Sequence, residues 1–357
     1  MESLLQHKTG VNNLIKRWDE LKNKHPKLRT KDAADRLGVS EAELIASKSD
    51  GKNIIRLKED WEGIFKRLEV LGSLMALTRN DAAVHEKTGI YQNVSFEGHA
   101  GLVLDEQIDL RIFYKRWGFG FALPVENPKG ILHSFQFFDK EGVAVHKIYL
   151  KDKTKLNLYN DIVESFKSEN QSTEIVIDKS IQKDSTQKRE DIDIKAFLDA
   201  WSELKDTHDF FPMLRKFKAD RTDALELARG HFSWKVDNST VNRLLAMAAE
   251  REVPIMVFVG NKGMIQIHSG PINKIREIKN WLNILDQDFN LHLRQDLIYS
   301  SWIVEKPTVD GLVTSLELFS DTGEQIATFF GARKPGKPEL IEWKKITAEL
   351  KNRSTDK

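Results

Sequence analysis

The chain has 357 residues, of which 40% are hydrophobic and 31% charged, and its formal net charge is +1. This composition is typical of a soluble globular protein with room for two domains, and the balanced charge excludes a chain that binds polyanions over its whole surface. Zero cysteines exclude disulfides, thiolate nucleophiles and cysteine-held metal sites, so any metal must be held by His, carboxylate or Tyr, or arrive inside a cofactor.

The start of the chain shows no targeting segment. Residues 1–8 lack the apolar core of a signal peptide. No apolar run reaches the roughly 18 residues that a membrane-spanning helix needs. We therefore expect a cytoplasmic location without membrane insertion.

Helices are predicted at the start of the chain, and a strand follows them. Apolar residues at helical spacing predict a helix over residues 11–27 that Pro26 ends, and residues 31–47 predict two short helices around Gly38. Residues 108–113 alternate between apolar and polar side chains, which predicts a strand.

The second half of the chain repeats this plan. Residues 194–204 and 213–228 are predicted to be helical, and strands are predicted over 254–259 and 289–293. Residues 260–263, with the sequence Gly-Asn-Lys-Gly, form a predicted hairpin turn.

The two halves are copies of one unit. When the chain is aligned with itself, Asn80 falls on Asn261, and in the same register residues 134–138 fall on 315–319. Two copies, each about half of the chain, indicate a tandem duplication. A residue that both copies keep is expected to serve the fold, whereas a special residue in one copy is expected to serve function.

The predicted fold class is α+β with a tandem structural duplication. Helices followed by hairpin-joined strands give each half a broad antiparallel sheet with flanking helices, and the sheets are expected to stack centrally. Turns at 139–142 and 321–323 lie at matching places in the two copies.

The predicted organisation is an N-terminal repeat over 1–178, a linker over 179–191 and a C-terminal repeat over 192–357. The boundary region 167–191 is polar and charged, and within it residues 175–177 (Ile-Val-Ile) are predicted to form one short strand.

The segment 31–47 has the spacing of a helix-turn-helix, with Gly38 in the turn. A DNA-binding regulator is therefore one hypothesis. The second helix begins with Glu41 and Glu43, whose carboxylates would face phosphates, so a plain helical hairpin is favoured and a nucleic-acid partner is disfavoured.

His208 is the sharpest candidate for chemistry. In the register that places Trp18 on Trp201, His25 falls on His208, but only His208 is followed by an acid and two phenylalanines, Phe210 and Phe211. A neutral imidazole at a helix end beside apolar side chains is what an iron porphyrin requires. The alternative is a capping histidine whose neighbours belong to the core.

Arg111 is the second candidate. It lies in the alternating strand on the same face as Asp109 and Phe113, and the second copy has His292 at its place, so the fold does not require an arginine there. The alternative interpretation is a cross-strand ion pair at the sheet surface. The functional interpretation is a guanidinium that stabilises an anion or an oxygen species in a pocket.

At these residues the chain resembles the HemS/ChuS-type haemin-degrading factors, which are cytoplasmic haem-utilisation proteins of bacteria. The resemblance covers nearly the whole chain, including the duplication, and its segments are specific together rather than singly. The segments are Asn80 with residues 83–86, then 98–102, 109–111, 208–211, 255–261, 279–284, 306–308 and 311–319.

The resemblance implies a haem in the cleft between the two halves. His208 matches the axial iron ligand of the family, and Arg111 matches its distal arginine. The other positions that match haem contacts are the cations Arg221, Lys306 and Arg333, largely for the propionates, the aromatic residues Phe113 and Phe258 of the pocket wall, and His85 as an alternative contact. Thr328 and Phe330 stand where the family carries a glutamine and a tyrosine.

Two functions follow from the resemblance. The first is an enzyme that opens haem oxidatively and releases iron. Because no flavin or nicotinamide motif is present, its electrons come from an external donor or from one bound without a sequence motif. The second is a non-enzymatic carrier or store that takes haem from an importer and passes it to an acceptor. The same residues serve both functions, so the identity of the product has to separate them.

Overall fold

The computed structural model of the protein describes residues 2–98, 100–127, 130–178, 191–334 and 336–355. The predicted linker over 179–191 lies outside these residues except for Asp191. The repeat boundaries at 178 and 192 therefore stay a prediction.

Ten α-helices form within the described residues. They are α1 (Glu2–Lys24), α2 (Thr30–Leu37), α3 (Glu41–Ala46), α4 (Trp61–Arg67), α5 (Leu156–Phe166), α6 (Ile194–Ser202), α7 (Phe210–Phe217), α8 (Arg221–Leu227), α9 (Thr240–Glu250) and α10 (Ile341–Thr355). The predicted helical regions are confirmed. Region 213–228 contains two helices because Lys218 adopts the left-handed conformation, with φ 49°, and ends α7.

Eighteen strands form within the same residues. Those of the first half are β1 (Ile55–Arg56), β2 (Leu74–Arg79), β3 (Ala83–Gly89), β4 (Val94–Glu97), β5 (Ala100–Leu104), β6 (Asp109–Ile112), β7 (Trp117–Asn127), β8 (Gly130–Asp139) and β9 (Ala144–Leu150). Those of the second half are β10 (Ser233–Val236), β11 (Ile255–Asn261), β12 (Met264–Gly270), β13 (Ile275–Ile278), β14 (Trp281–Leu285), β15 (Phe289–Arg294), β16 (Ser300–Thr308), β17 (Gly311–Phe319) and β18 (Gln325–Gly331).

The strands form two nine-stranded sheets. Their orders are β1-β7-β8-β9-β2-β3-β15-β14-β13 and β10-β16-β17-β18-β11-β12-β6-β5-β4. Replacing each strand by its counterpart in the other copy converts one order into the other, so the predicted α+β fold with a duplicated antiparallel sheet is confirmed. Each sheet contains six strands of one half and three of the other, an exchange that the sequence did not predict.

The chain divides into two compact units. The N unit contains the described residues up to 78, residues 87–178 and the hairpin segment 261–265. The C unit contains residues 79–86 and the remainder of the described chain from 191 onwards. Each unit thus takes one short hairpin segment from the other half of the sequence.

In the N unit, helices cover both faces of the strands β7, β8 and β9. Helices α4 and α5 pack on one face through a cluster that includes Phe65, Phe137 and Ile162. Helix α3 packs on the other face through Ile45 and Phe121. Burial of these apolar side chains is the main favourable term in folding.

The α2–α3 hairpin is part of this N-unit core. Gly38 adopts φ 73° and ends α2, and Ser40 begins α3 with a capping box shared with Glu43. Glu41 is buried and its Oε1 accepts a hydrogen bond of 2.6 Å from Lys147 Nζ. Most of α3 therefore faces the sheet, and its two carboxylates serve a cap and a buried ion pair.

Residues 175–177 do not form the predicted strand. Ile175 and Ile177 pack on the cluster around α3, while Val176 is 93% exposed. The side chains therefore alternate as in a strand, but side-chain packing holds the segment, and the hydrogen bond from Asp178 N to Lys140 O anchors its end. The apolar run in the sequence therefore reflects side-chain packing on the N unit instead of a strand.

In the C unit, helices also cover both faces of the strands β16 and β17. Helices α9 and α10 pack on the face that carries Ile303 and Leu316. Helices α6, α7 and α8 pack on the opposite face, which carries Trp302 and Phe319. This second face also carries Lys306 and Glu317, because strand residues two apart share a face.

Asn80, one of the residues that the two copies share, closes a hairpin of the C unit. Its Nδ2 donates to Gly260 O and Ile326 O, and its Oδ1 accepts from the amides of Ala82 and Ala83, at 2.8 to 3.1 Å. The Asn80 side chain therefore supplies hydrogen-bond partners to backbone groups of the turn. This structural role explains why both copies keep an asparagine at this place.

We predict that Asn80→Ala lowers the free energy of unfolding by about 2–4 kcal/mol, because each hydrogen bond contributes roughly 1 kcal/mol. Urea unfolding followed by circular dichroism measures this. The control Asn53→Ala removes one exposed side-chain donor to Asp50 and is expected to cost less than about 1 kcal/mol. Equal losses in the two variants would contradict the role of Asn80.

Candidate functional site

A fully buried carboxylate organises one face of the C-unit sheet. Glu317 on β17 accepts two hydrogen bonds of 2.8 Å from Arg221, at the start of α8, and one of 2.7 Å from Lys306 on β16. Ser315 Oγ donates a further bond of 3.0 Å. Two cations on one carboxylate leave this cluster with a net charge of +1.

Burial and charge act against each other in this cluster. Burial alone would raise the pKa of Glu317, but Arg221 and Lys306 overcome it and hold the pKa well below its usual range. Burial lowers the pKa of Lys306, and the charge of Glu317 opposes that change. The cluster is therefore an ion pair network in which each charge depends on its neighbours.

The cations of this cluster also fix the start of α7. Lys306 Nζ lies 4.8 Å from the ring centre of Phe210, and the Arg221 guanidinium carbon lies 5.1 Å and 5.5 Å from the rings of Phe210 and Phe211. Such cation–π contacts add to the packing of the rings. Phe210 is buried, whereas Phe211 is 58% exposed.

His208 lies in the turn directly before α7. Its side chain is 91% exposed. Asp206 Oδ1 accepts both the backbone amide of His208, at 2.8 Å, and its ring Nδ1, at 2.5 Å. A carboxylate can only accept, so Nδ1 donates in this contact, and in a neutral imidazole this leaves the lone pair on Nε2.

The turn itself is closed by Asp209. Its Oδ2 accepts the backbone amides of Asp206, at 3.0 Å, and of Lys205, at 3.2 Å. Val309 N, in the hairpin between β16 and β17, donates to Lys205 O at 2.9 Å. The backbone hydrogen bond from His208 is the main cause that lowers the pKa of Asp206, and His208 and Arg333 lower it further.

Arg333 is a second cation near this turn. Its side chain is 14% exposed, and its Nη1 lies 3.8 Å from Asp310 Oδ2. Nη1 is buried and makes no hydrogen bond to the part of the chain that the structure describes. A buried guanidinium donor without a hydrogen bond is rare, and an anionic ligand would supply one.

An aromatic wall lies on the strands next to the cation cluster. Phe258 on β11 and Phe330 on β18 meet edge to face, with ring centres 5.3 Å apart. Phe330 also lies 5.9 Å from Lys306 Nζ. Thr328 is buried and accepts a hydrogen bond from Gln325. Position 330 thus presents an aromatic ring, and position 328 presents a hydroxyl that already has a partner.

His85 is placed differently from His208. It lies on β3, it is fully buried, and its ring packs 4.9 Å from that of Phe289. A ligand would reach this imidazole only if the strand moved. The alternative haem contact through His85 stays a prediction.

Arg111 and Phe113 belong to the N unit. Arg111 Nη1 forms an ion pair with Asp109, two residues earlier on the same strand, instead of the cross-strand pair that was the alternative interpretation. Burial raises the pKa of Asp109 against the lowering effect of Arg111. Phe113 follows the last residue of the strand and is 36% exposed. About a third of the Arg111 side chain remains exposed.

The structure thus assembles most of the candidate residues in the C unit. Phe210 and Phe330 connect Arg221, Lys306 and the aromatic wall to the His208 turn. The sequence interpretation missed the roles of Glu317 and Asp206. Both could have been found by comparing the copies, since the first copy has Gln136 and Asn23 at these places.

Comparison with known proteins identifies the family. The model of the haemin-degrading HemS.ChuX domain matches residues 38–166 and 218–350. The two matched segments correspond to the two copies of the duplication. The resemblance to the HemS/ChuS-type factors is confirmed.

Three relatives are similar over nearly their whole length. The hemin transport protein HemS of Yersinia enterocolitica is 37% identical over 96% of this chain and 98% of its own. Holo-PhuS, a heme-binding protein from Pseudomonas aeruginosa, is 41% identical with a TM-score of 0.92, over 96% and 99% of the two chains. The heme degrading enzyme ChuS of Escherichia coli O157:H7 is 34% identical with a TM-score of 0.88, over 95% and 99%.

No helix among the described residues is long and apolar enough to cross a membrane. No group of three or more His, Cys, Asp or Glu side chains in these ranges is placed to hold a metal ion.

Glu339, which precedes α10, gives the region a pH-dependent stability. Thr314 donates to both of its carboxylate oxygens, and burial raises its pKa to about 7 from an ordinary value of 4.5. Between these pH values the folded chain binds more protons than the unfolded chain. The free energy of unfolding therefore falls as pH rises from 4.5 to 7, by up to roughly 3 kcal/mol.

We predict that Glu339→Gln removes this dependence. Urea unfolding should show that the variant is more stable relative to the unmodified protein at pH 8 than at pH 5. The reason is that the Glu339 carboxyl ionises between these pH values and becomes a buried charge, whereas the glutamine amide stays neutral. Glu342→Gln, at an exposed carboxyl on α10, is the control and should show no such change. A difference for Glu339→Gln that is the same at both pH values would contradict the raised pKa.

Proposed function

Because this chain belongs to the family of the haemin-degrading HemS.ChuX domain, we propose that it binds one haem through His208 and opens that haem oxidatively to release iron. The observation that carries the proposal is the exposed imidazole of His208, whose Nδ1 is held by Asp206 while Nε2 is left for iron. Neutral imidazole is the common nitrogen ligand of haem iron.

The cations of the C unit support the binding of the haem propionates. Arg221 and Lys306 carry two positive charges, of which Glu317 neutralises one. The buried Nη1 of Arg333 makes no hydrogen bond to the described residues. The two propionate carboxylates of a haem would balance the remaining positive charge and would accept a hydrogen bond from Arg333 Nη1. We therefore assign propionate binding to the three cations.

The aromatic residues support the binding of the flat macrocycle. Phe258 and Phe330 meet as an aromatic wall, and Phe211 exposes a large apolar surface next to His208. Contact with an apolar ring would remove this surface from water. The phenylalanine at position 330 keeps the wall apolar.

For the N unit, we propose that Arg111 and Phe113 assist the oxidative reaction of the bound haem. Haem supplies the iron at which oxygen is reduced, with electrons from an external donor. The Arg111 guanidinium uses Nη1 for Asp109, and its remaining N–H groups are suited to stabilise negative charge that develops during the reaction. Phe113 is suited to exclude water from the reacting haem.

A carrier function is the second candidate. The relative from Yersinia enterocolitica is named a hemin transport protein, whereas ChuS is described as a heme degrading enzyme. As a carrier, this protein would take haem from an importer and pass it to an acceptor in the cytoplasm, without changing it. The residues proposed for binding are the same in both functions.

We predict that haemin titrated into the protein gives a Soret band that saturates at one equivalent, because one exposed imidazole is held for iron. His208→Ala should lose or shift this band and weaken binding at least about tenfold, an effect of the size of one lost ligand interaction. His25→Ala, at the matching exposed histidine of the first copy, should titrate like the unmodified protein. A normal titration with His208→Ala would exclude the assigned ligand.

We predict that the haem complex, given a reductant with catalase present, yields one defined ring-opened tetrapyrrole. Arg111→Ala should keep haem binding and slow this reaction by about 100-fold, the usual cost of one lost donor to developing charge. Arg116→Ala, at an exposed arginine in the turn that follows the strand of Arg111, is the control. Absorbance and mass spectrometry identify the product, and intact haem under these conditions would favour the carrier.

A further inference from the structure

We propose that Asp206 is a positioning residue for the iron ligand, which fixes the tautomer and orientation of His208 and strengthens Nε2 as a donor. This inference rests on the proposed function, because it assigns a partner to the ligand of that same site.

The geometry at Asp206 supports the assignment. One oxygen, Oδ1, accepts both the backbone amide and the ring Nδ1 of the same residue, His208. The orientation of the ring is therefore tied to the backbone of the turn. With 91% of the imidazole exposed, little packing opposes rotation of the ring, so this hydrogen bond is the main restraint on its direction.

The chemistry of the contact determines which nitrogen binds iron. A carboxylate offers only acceptors, and a neutral imidazole has one N–H donor and one acceptor nitrogen. Donation from Nδ1 to Asp206 thus leaves the lone pair on Nε2. A metal-binding histidine whose other nitrogen donates to a carboxylate is a more basic ligand, and loss of the carboxylate usually weakens the site about 10- to 100-fold.

The duplication provides an independent comparison. In the register that aligns His25 with His208, Asn23 aligns with Asp206. The first copy thus has an exposed histidine with a neutral amide side chain shortly before it. The carboxylate occurs only in the copy whose histidine is proposed to bind iron, as expected if it serves the ligand rather than the fold.

The backbone around Asp206 is held by other groups. Asp209 Oδ2 accepts the amides of Asp206 and Lys205, and Val309 N donates to Lys205 O. These contacts remain when the Asp206 side chain is changed. A substitution at Asp206 therefore tests the ring contact with limited disturbance of the turn.

Two variants separate the ring contact from a capping role. Asp206→Asn introduces the residue of the first copy and removes the charge. Asp206→Ser keeps a side-chain oxygen that can accept the His208 amide, as serine does at helix starts, but does not reach Nδ1. Asp199→Asn, at an exposed carboxylate of α6 paired with Lys195, is the matched control.

The measurements are the haem dissociation constant and the iron–histidine stretching frequency of the ferrous complex in resonance Raman spectra. We expect Asp206→Asn and Asp206→Ser to weaken haem binding about 10- to 100-fold and to lower the stretching frequency, while Asp199→Asn matches the unmodified protein. Unchanged frequency and affinity in both Asp206 variants would overturn the inference. A purely structural role is excluded if the stretching frequency falls in variants that unfold at the same urea concentration as the unmodified protein.

His208→Ala distinguishes failure of this inference from failure of the proposed function. If His208→Ala abolishes the stretching band and the Asp206 variants do not change it, only the positioning role is wrong. If the band persists in His208→Ala, iron is bound elsewhere, and both the ligand assignment and the role of Asp206 are wrong.

Discussion

The buried carboxylate of Glu317 is the constraint on which the C-unit site depends. A charge without access to water requires compensating partners, and Glu317 obtains them from Lys306 on the neighbouring strand and from Arg221 at the start of a helix. These cations pack on Phe210 and Phe211, the first residues of the helix that follows His208. One ion pair network thus determines where the exposed histidine is presented.

This arrangement separates rigidity from exposure. Glu317, Lys306 and Phe210 are buried, whereas the imidazole extends into solvent and is restrained mainly by Asp206. The surplus positive charge next to the imidazole explains why an anionic porphyrin would be favoured over a neutral one.

Much of the fold could be predicted because its signals are local. Gly38 marks the end of a helix, and the alternating residues of β6 and β15 mark strands. The exchange of three strands between the sheets was not predictable, because it depends on pairing between residues far apart in the chain. The segment 175–177 was wrongly predicted as a strand because its apolar run serves side-chain packing and forms no backbone ladder.

The site was predicted only in part, since His208 stood out between the copies while the burial of Lys306 did not follow from its residue type. Val125 and Gln136 occupy the places of Lys306 and Glu317 in the first copy, so the charge pair itself is specific to the second.

The most direct test of the site is a crystal structure of the haem complex. We predict iron bound to Nε2 of His208, with Nδ1 still donating to Asp206. Iron bound to another side chain, or to Nδ1, would contradict this arrangement.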